Sequence, residues 1–517
     1  MNFLIPGLIL IAVFVSSCRK TDADYLITGA KVFDGSANDP ENIDLAIRGE
    51  RIVFIGKKGS RRVKADRTID ATGLILAPGF IDPHTHALPN LESKRDRSLQ
   101  PFLWQGVTTV FEGNDGSGPF PVGEKLDEFA ANGIGINAGL FVGHGTVRKK
   151  VMGLKDTIAG VAEIDAMKEL VRQGMADGAF GLSTGLFYSP GSFASTGEVI
   201  ELARVAAEAG GIYDTHLRDE GSYGIGLAGS VKETIEISEK AGIPVHISHI
   251  KALGRDVWGE SENIITMINE ARARGLNVTA NQYPYPASKT GLKAAVVPRW
   301  AEDGGNNAMI ERFDDITLAE KLNAEIAANI YIRGGAEMIV FSENGRHSLR
   351  GLTLREASEK MGSGEVETVR SILRDSPGIG IVSFNMQEED IMNFMKQEWV
   401  MTGSDGGEGH PRKYGTFPRK IKVYALEKGY LTLNEAIHRS TGLTAETLQI
   451  KERGWIKKGY YADIILFSLE DLNDEATFDE PSKYATGMKY IFVNGVITVD
   501  KGAYTGVLAG KALRLYD

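Results

Sequence analysis

Short alternations of apolar and polar residues fill the first part of the chain. Tyr25-Leu26-Ile27, Lys31-Val32-Phe33, Asp44-Leu45-Ala46-Ile47 and Arg51-Ile52-Val53-Phe54-Ile55-Gly56 follow one another between Gly and Asp residues. Alternation bounded by turn residues predicts strands and hairpins. The far end has the same texture, in Ala462-Asp463-Ile464-Ile465-Leu466-Phe467 and Tyr490-Ile491-Phe492-Val493-Asn494-Gly495-Val496-Ile497. Two strand-rich ends around a different middle predict one small discontinuous β-sandwich domain over 19–76 and 450–517.

The middle changes period. Val231 and Ile235 share a helical face, as do Ile264, Ile268 and Ala271. Between such helices, short apolar runs end on polar residues at a regular step. From Asp115 to Gly139 is 24 residues, and 44 more reach Ser183; then 33 lead to His216, 33 to His249 and 34 to Tyr283. Steps of that size match a β–α–β unit. With His84 after the first strand and Asp405 after the last, the landmarks count eight strands. The prediction is an α/β protein, a (β/α)8 TIM-type barrel over 77–449, with its active site at the strand C-termini. A doubly wound sheet would not gather polar residues from every strand end. The last step, Tyr283 to Asp405, is 122 residues long. It predicts an α/β insertion over about 293–395, serving either as a binding element or as packing.

Composition narrows the function. A chain of 517 residues suggests more than one domain, and 42% apolar with 24% charged residues is ordinary for a soluble globular protein. A formal charge of −10 argues against nucleic acid as a partner. The single cysteine, Cys18, excludes an intramolecular disulfide. It follows an apolar run, Phe3 to Val15, shorter than the roughly 20 residues needed to span a bilayer. That run predicts a signal-peptide core. Val15-Ser16-Ser17-Cys18 resembles a bacterial lipobox. The expectation is a lipoprotein-type signal peptide over 1–18 and membrane attachment through a lipid on Cys18. The protein would then face the bacterial cell envelope as a periplasmic or outer-membrane lipoprotein.

The candidate chemistry sits at the strand ends. His84 and His86 close Asp82-Pro83-His84-Thr85-His86; His216 closes Tyr213-Asp214-Thr215-His216; His249 closes His246-Ile247-Ser248-His249; Asp405 closes Thr402-Gly403-Ser404-Asp405. Neutral imidazoles converging from several strands hold zinc with a position open to water. A buried carboxylate beside that water is a proton shuttle. His246, His347 and His438 stand apart from this pattern and are expected to be structural. His144 has no ligand role to argue, and Asn114 and Asp219 are expected to cap loops or helices.

The ordered motifs resemble the amidohydrolase superfamily, and within it the D-aminoacylase (N-acyl-D-amino-acid deacylase) family. They include Gly79-Phe80-Ile81-Asp82-Pro83-His84-Thr85-His86, Gly178-Ala179-Phe180-Gly181-Leu182-Ser183-Thr184-Gly185-Leu186, Thr215-His216-Leu217-Arg218-Asp219-Glu220, Ile247-Ser248-His249-Ile250-Lys251, Tyr283-Pro284-Tyr285-Pro286-Ala287-Ser288 and Gly403-Ser404-Asp405-Gly406. The resemblance covers essentially the whole chain after residue 18. It implies zinc, one or two divalent ions, on His84, His86, His216 and His249. It implies Asp405 as the catalytic acid–base. It implies a grip on the substrate's free carboxylate by Arg412, Tyr283 and Ser288, with Lys251 as a further polar position. One departure stands out. Some family members place a ligating cysteine in a Gly-Asn-Cys-Gly loop, where this chain has Gly113-Asn114-Asp115-Gly116. Asp115 is the expected replacement ligand, with Glu112 as the alternative; oxygen is harder than sulfur and would weaken the preference for zinc.

The activity this implies is metal-dependent hydrolysis of N-acyl-D-amino acids to a carboxylic acid and a D-amino acid. Two alternatives stay within the superfamily: a dipeptidase acting on dipeptides with a C-terminal D-residue, and a cyclic amide hydrolase of the dihydroorotase or hydantoinase kind. A non-enzymatic binding lipoprotein is disfavoured by the intact histidines and Asp405.

Overall fold

The structure is a computed structural model that describes residues 20–57, 59 and 62–517. The signal peptide and lipidation motif expected over 1–18 lie outside the described residues. Both ends of the chain meet in a ten-stranded sheet. Thr21–Thr28 pairs antiparallel with Glu41–Arg48 and parallel with Val63–Asp70. From the other end, Ile464–Phe467 runs antiparallel between Ile75–Pro78 and Met488–Val493. Every second residue of a strand faces the same side. Ile27, Leu45, Ile47 and Ile69 thereby meet Ile464, Leu466 and Phe492 in one buried cluster.

The middle of the chain supplies eight parallel strands. They are β1 (Phe80–Asp82), β2 (Val107–Glu112), β3 (Asn137–Leu140, continued at Val142–Gly143), β4 (Gly181–Gly185), β5 (Ile212–His216), β6 (Val245–Ile247), β7 (Val278–Gln282) and β8 (Val400–Thr402). Each pairs in parallel with the next in chain order. The last returns to the first just past the strand ends. Thr85 and Gly406 form a parallel bridge, and the Asp405 N–H donates to the His84 carbonyl at 2.9 Å. Asp82 Oδ1 reinforces that junction by accepting from the Ser404 N–H at 2.9 Å.

These strands are buried along their whole length. A parallel sheet buried on both faces needs helices as cover. Helix α1 (Gly226–Ala241) buries Val231 and Ile235, and α2 (Ser261–Ala273) buries Ile264, Ile268 and Ala271. Those are the faces that the apolar period predicts.

Between β7 and β8 lies a three-stranded antiparallel sheet of Ser288–Gly291, Gly380–Ser383 and Ile339–Phe341. It carries its own core, including Phe313, Leu322, Ile326, Phe341 and Ile372. The sheet begins at Ser288, ahead of the boundary near 293 expected from sequence. Ser288-Lys289-Thr290-Gly291 is polar throughout and carries no apolar alternation to announce a strand. The insertion therefore contributes its first strand to the ground beside the β7 strand end.

Candidate metal centre

The strand ends converge. Ligand atoms of His84 and His86 (after β1), Asp115 (after β2) and Asp405 (after β8) all lie within 4.8 Å of one another. His216 (closing β5), Glu220 and His249 (after β6) form a second group of the same kind. His249 joins the two groups: its ring centroid is 4.8 Å from that of His84 and 4.6 Å from that of His216. Asp115 spans them as well. Its Oδ1 is 3.5 Å from His249 Nε2, and its Oδ2 is 3.5 Å from the Nε2 atoms of His84 and His86.

The local backbone is bent to bring these groups together. His249, Asp405 and Asp115 hold φ angles of 34°, 48° and 54°. That left-handed region is uncommon for residues with a Cβ and costs about 1–3 kcal/mol each. Neighbouring strands hold the bends in place. The His249 N–H donates to Asn281 Oδ1 at 3.0 Å. After Asp115, the Gly116 N–H donates to Ser183 Oγ at 3.2 Å.

The donor set fits a metal ion. His84 is fully buried, and neither ring nitrogen has a hydrogen-bond partner among the described residues. Two buried polar atoms without partners are costly unless something else satisfies them. Asp115 Oδ1 is likewise without one. The His216 Nδ1–H donates to the Leu217 carbonyl at 2.8 Å, which leaves Nε2 to ligate. Imidazole nitrogens with carboxylate oxygens suit zinc and related divalent ions.

Charge is tightly balanced here. Burial pulls the His86 imidazole down, but Asp115 and Asp405 outweigh it and raise it to about 10. Burial and Lys251 pull His249 down, while Glu220, Asp405 and Asp115 raise it to about 9. Burial alone dominates at His216, which falls to about 4. Burial pushes the Asp115 carboxyl up, yet His84 and His249 hold it well below the usual range. Asp405 behaves alike, with Arg412 as the largest opposing influence. Both acids are therefore ionised at neutral pH, the form in which carboxylates ligate metals and accept protons.

Tyr283, Ser288 and Lys251 line a pocket with His216, His249 and Asp405, and Arg412 lines the larger cavity beside it. Arg412 Nη2 donates to Asp405 Oδ2 at 2.8 Å, while its buried Nε and Nη1 have no partner among the described residues. The Tyr283 ring lies 4.5 Å from the Arg412 guanidinium carbon, with its own hydroxyl buried and unpartnered. Ser288 Oγ donates to Asn385 Oδ1 at 3.3 Å and accepts from Arg333 Nη1 at 3.3 Å. Lys251 Nζ donates to Glu220 Oε1 at 2.5 Å and lies 2.6 Å from His249 Nδ1. A cavity of about 880 Å³, lined by His86, Asp115, Tyr188, Lys289 and Arg412, leads outward from the centre.

Other residues fall outside the ligand groups. Glu112 accepts from the Thr85 hydroxyl and, at 2.5 Å, from the Ala87 N–H, so it braces the His86 segment. Asn114 Nδ2 donates to the Pro83 carbonyl, and Asp219 accepts from the N–H groups of Gly221, Gly224 and Gly226 ahead of α1. His144 pairs with Glu198, His246 with Thr279 and Asn281, His347 with Asp375, and His438 with the Gly35 carbonyl. Glu220 is the residue that sequence reasoning missed. Its Oε1 lies 3.0 Å from His249 Nδ1 and its Oε2 3.7 Å from His216 Nε2. The available signal was its position four residues after His216, in a loop otherwise rich in charge.

A strand-end cluster of histidines and aspartates on parallel strands defines a metal-dependent hydrolase of amidohydrolase type. The chain belongs to the amidohydrolase family, whose model matches residues 67–499. Among curated relatives, D-aminoacylase of Alcaligenes xylosoxydans xylosoxydans is 34% identical over 95% of this chain and 97% of its own length. N-acyl-D-aspartate deacylase of the same organism is 32% identical, covering 92% of this chain and 91% of that one. Among solved structures, N-acyl-D-glutamate deacylase of Bordetella bronchiseptica, complexed with zinc and a phosphonate mimic of the tetrahedral intermediate, superposes with a TM-score of 0.82. It is 28% identical and covers 95% of this chain and 100% of that chain.

Proposed function

We propose that the protein is a zinc-dependent deacylase that hydrolyses the amide bond of N-acyl-D-amino acids, releasing a carboxylic acid and a D-amino acid. The observation that carries this reading is the placement of Asp405. One of its oxygens is 3.0 Å from His86 Nε2 in the metal-ligating group, and the other is bound to Arg412. Relatives at 30–34% identity across nearly the whole chain support it. In this reading His84, His86, His216, His249 and Asp115 hold one or two divalent ions. A zinc ion held there would polarise the amide carbonyl and ready water as a nucleophile at neutral pH.

The protein's own groups do the rest. Asp405 takes a proton from the water as its oxygen bonds to the carbonyl carbon. It then gives that proton to the amine nitrogen as the C–N bond breaks. Arg412 offers Nε and Nη1 to the α-carboxylate of the substrate, a planar fork to two oxygens. The Tyr283 and Ser288 hydroxyls extend that grip, and Lys251 adds positive charge beside it.

The wider assignments follow the same reading. The eight parallel strands make a closed (β/α)8 barrel over 77–449, with a β-sandwich domain from both chain ends. The apolar run before Cys18 supports a lipid anchor in a bacterial envelope, where D-amino-acid derivatives of the cell wall are at hand. Cys18→Ala, if still membrane-bound, would remove the anchor from this account.

The test is hydrolysis by the zinc-supplied chain lacking 1–18, on N-acetyl-D-amino acids, L-Xaa-D-Xaa dipeptides, the L-enantiomers and dihydroorotate. Release of D-amino acids from the acetyl compounds alone supports the deacylase. Turnover confined to dipeptides or dihydroorotate replaces it with the peptidase or the cyclic amide hydrolase.

A further inference from the structure

Arg333 comes from the insertion, just beyond the helix Ala319–Ile332, and lines the same pocket as His216, His249, Tyr283, Ser288 and Asp405. It is only 2% exposed. Its Nε donates to Tyr223 Oη at 2.5 Å and its Nη1 to Ser288 Oγ at 3.3 Å, both neutral partners. Among the described residues it enters no ion pair. Most of the other basic groups around this pocket are engaged; Lys289, which also lines it, enters no ion pair among the described residues but is not fully buried. Arg412 is bound to Asp405, Lys251 to Glu220, and Arg299 to Glu302 at 2.6 Å. A buried guanidinium without a carboxylate is expensive unless a ligand supplies the anion.

We propose that Arg333 forms a subsite for a second carboxylate, so that the preferred substrates are N-acyl-D-amino acids with an acidic side chain. This rests on the deacylase reading and deepens it. The α-carboxylate already has a seat, because Arg412 and Tyr283 keep unspent buried donors beside Asp405. Arg333 adjoins that seat only through Ser288 Oγ, and its guanidinium sits among aromatic rings. Its guanidinium carbon lies 5.7 Å from the Phe187 ring and 5.6 Å from the Tyr223 ring, and Phe187 stacks on His216 with centroids 5.5 Å apart. This places a fixed, desolvated cation one ring's reach from the metal group. A guanidinium fork is matched to a carboxylate by two parallel hydrogen bonds. A neutral side chain would leave the fork uncompensated.

The experiment compares kcat/KM for N-acetyl-D-glutamate and N-acetyl-D-aspartate with N-acetyl-D-glutamine and N-acetyl-D-leucine. It uses the zinc-loaded full chain as wild type, Arg333→Met and Arg333→Lys, with folding checked by thermal melting. The expected result is an acidic preference in the wild type. Arg333→Met should lose on the order of 100-fold on the acidic substrates and less than about 3-fold on the neutral ones. Arg333→Lys, which keeps the charge but not the fork, should lie between and covers a failure of Arg333→Met to fold. A wild type that prefers neutral side chains overturns the proposal. So does an equal loss on all four substrates, which would make Arg333 part of the α-carboxylate seat. If the wild type hydrolyses none of them, the deacylase reading itself fails. The subsite is then decided by thermal shift: stabilisation by N-acetyl-D-glutamate over N-acetyl-D-glutamine that vanishes in Arg333→Met upholds it, and equal shifts overturn it.

Discussion

Arg412 and Asp405 form a buried ion pair at 2.8 Å, and the free oxygen of Asp405 faces His86. The pair fixes the carboxylate between His86 and Arg412, and in the proposed mechanism this lets one residue serve water on one side and the leaving amine on the other. Asp405→Asn keeps the shape and removes the base. Turnover should fall by about 10²–10⁴-fold with zinc content unchanged, as measured by steady-state kinetics and elemental analysis. Retained turnover would take the proton-transfer role away from Asp405.

Asp115 turns its two oxygens to different histidines. Asp115→Ala should lose metal on dialysis against a chelator faster than the wild type. Asp115→Cys should hold zinc more tightly, since sulfur is the softer ligand. Equal metal retention in all three proteins would mean that Asp115 does not ligate.

Glu220 orients His249 through Nδ1 and anchors Lys251. Partners of this kind set the orientation and basicity of a ligating imidazole. Glu220→Gln should weaken zinc binding by about 10–100-fold, measured by competition with a chromophoric chelator. An unchanged affinity would reduce Glu220 to a partner for Lys251 alone.

His246 is buried under the centre and held down at about 3, with burial as the main cause and the neighbouring histidine charges of His84 and His249 adding to it. Its Nδ1 meets Thr279 Oγ1 at 2.9 Å, and Asn281 Nδ2 donates to its Nε2 at 2.8 Å. The folded chain therefore keeps His246 neutral, while the unfolded chain protonates it below about 6.5. Stability from this group is complete above pH 6.5 and is lost as pH falls towards 3, by up to about 1.4 kcal/mol per pH unit. Urea unfolding at pH 7 and pH 4.5 should show a shallower acid-side loss for His246→Gln than for the wild type. Parallel curves would show that His246 does not titrate on unfolding.

The sequence by itself determined the alternation of parallel strands and helices and which residues gather at the strand ends. Strand-sized apolar runs at a steady step, with amphipathic helices such as the one carrying Ile264, Ile268 and Ala271 between them, follow from local periodicity, which a single chain displays openly. His84, His86, His216, His249 and Asp405 were legible for the same reason: each ends such a run, where a parallel strand delivers its last side chain to one face. What only the tertiary structure decided depends on groups distant in sequence. Asp115 rather than Glu112 reaches the histidines because its left-handed backbone turns it inward, while Glu112 is occupied by Thr85 and Ala87. Glu220 belongs to the centre because His249 and Lys251 arrive beside it from the next strand end. Ser288 and Arg333 reach the pocket through an insertion whose first strand is polar and leaves no hydrophobic trace. Whether a charge is paired is a property of the packed chain, and no spacing along the sequence shows that Arg333 lacks a carboxylate.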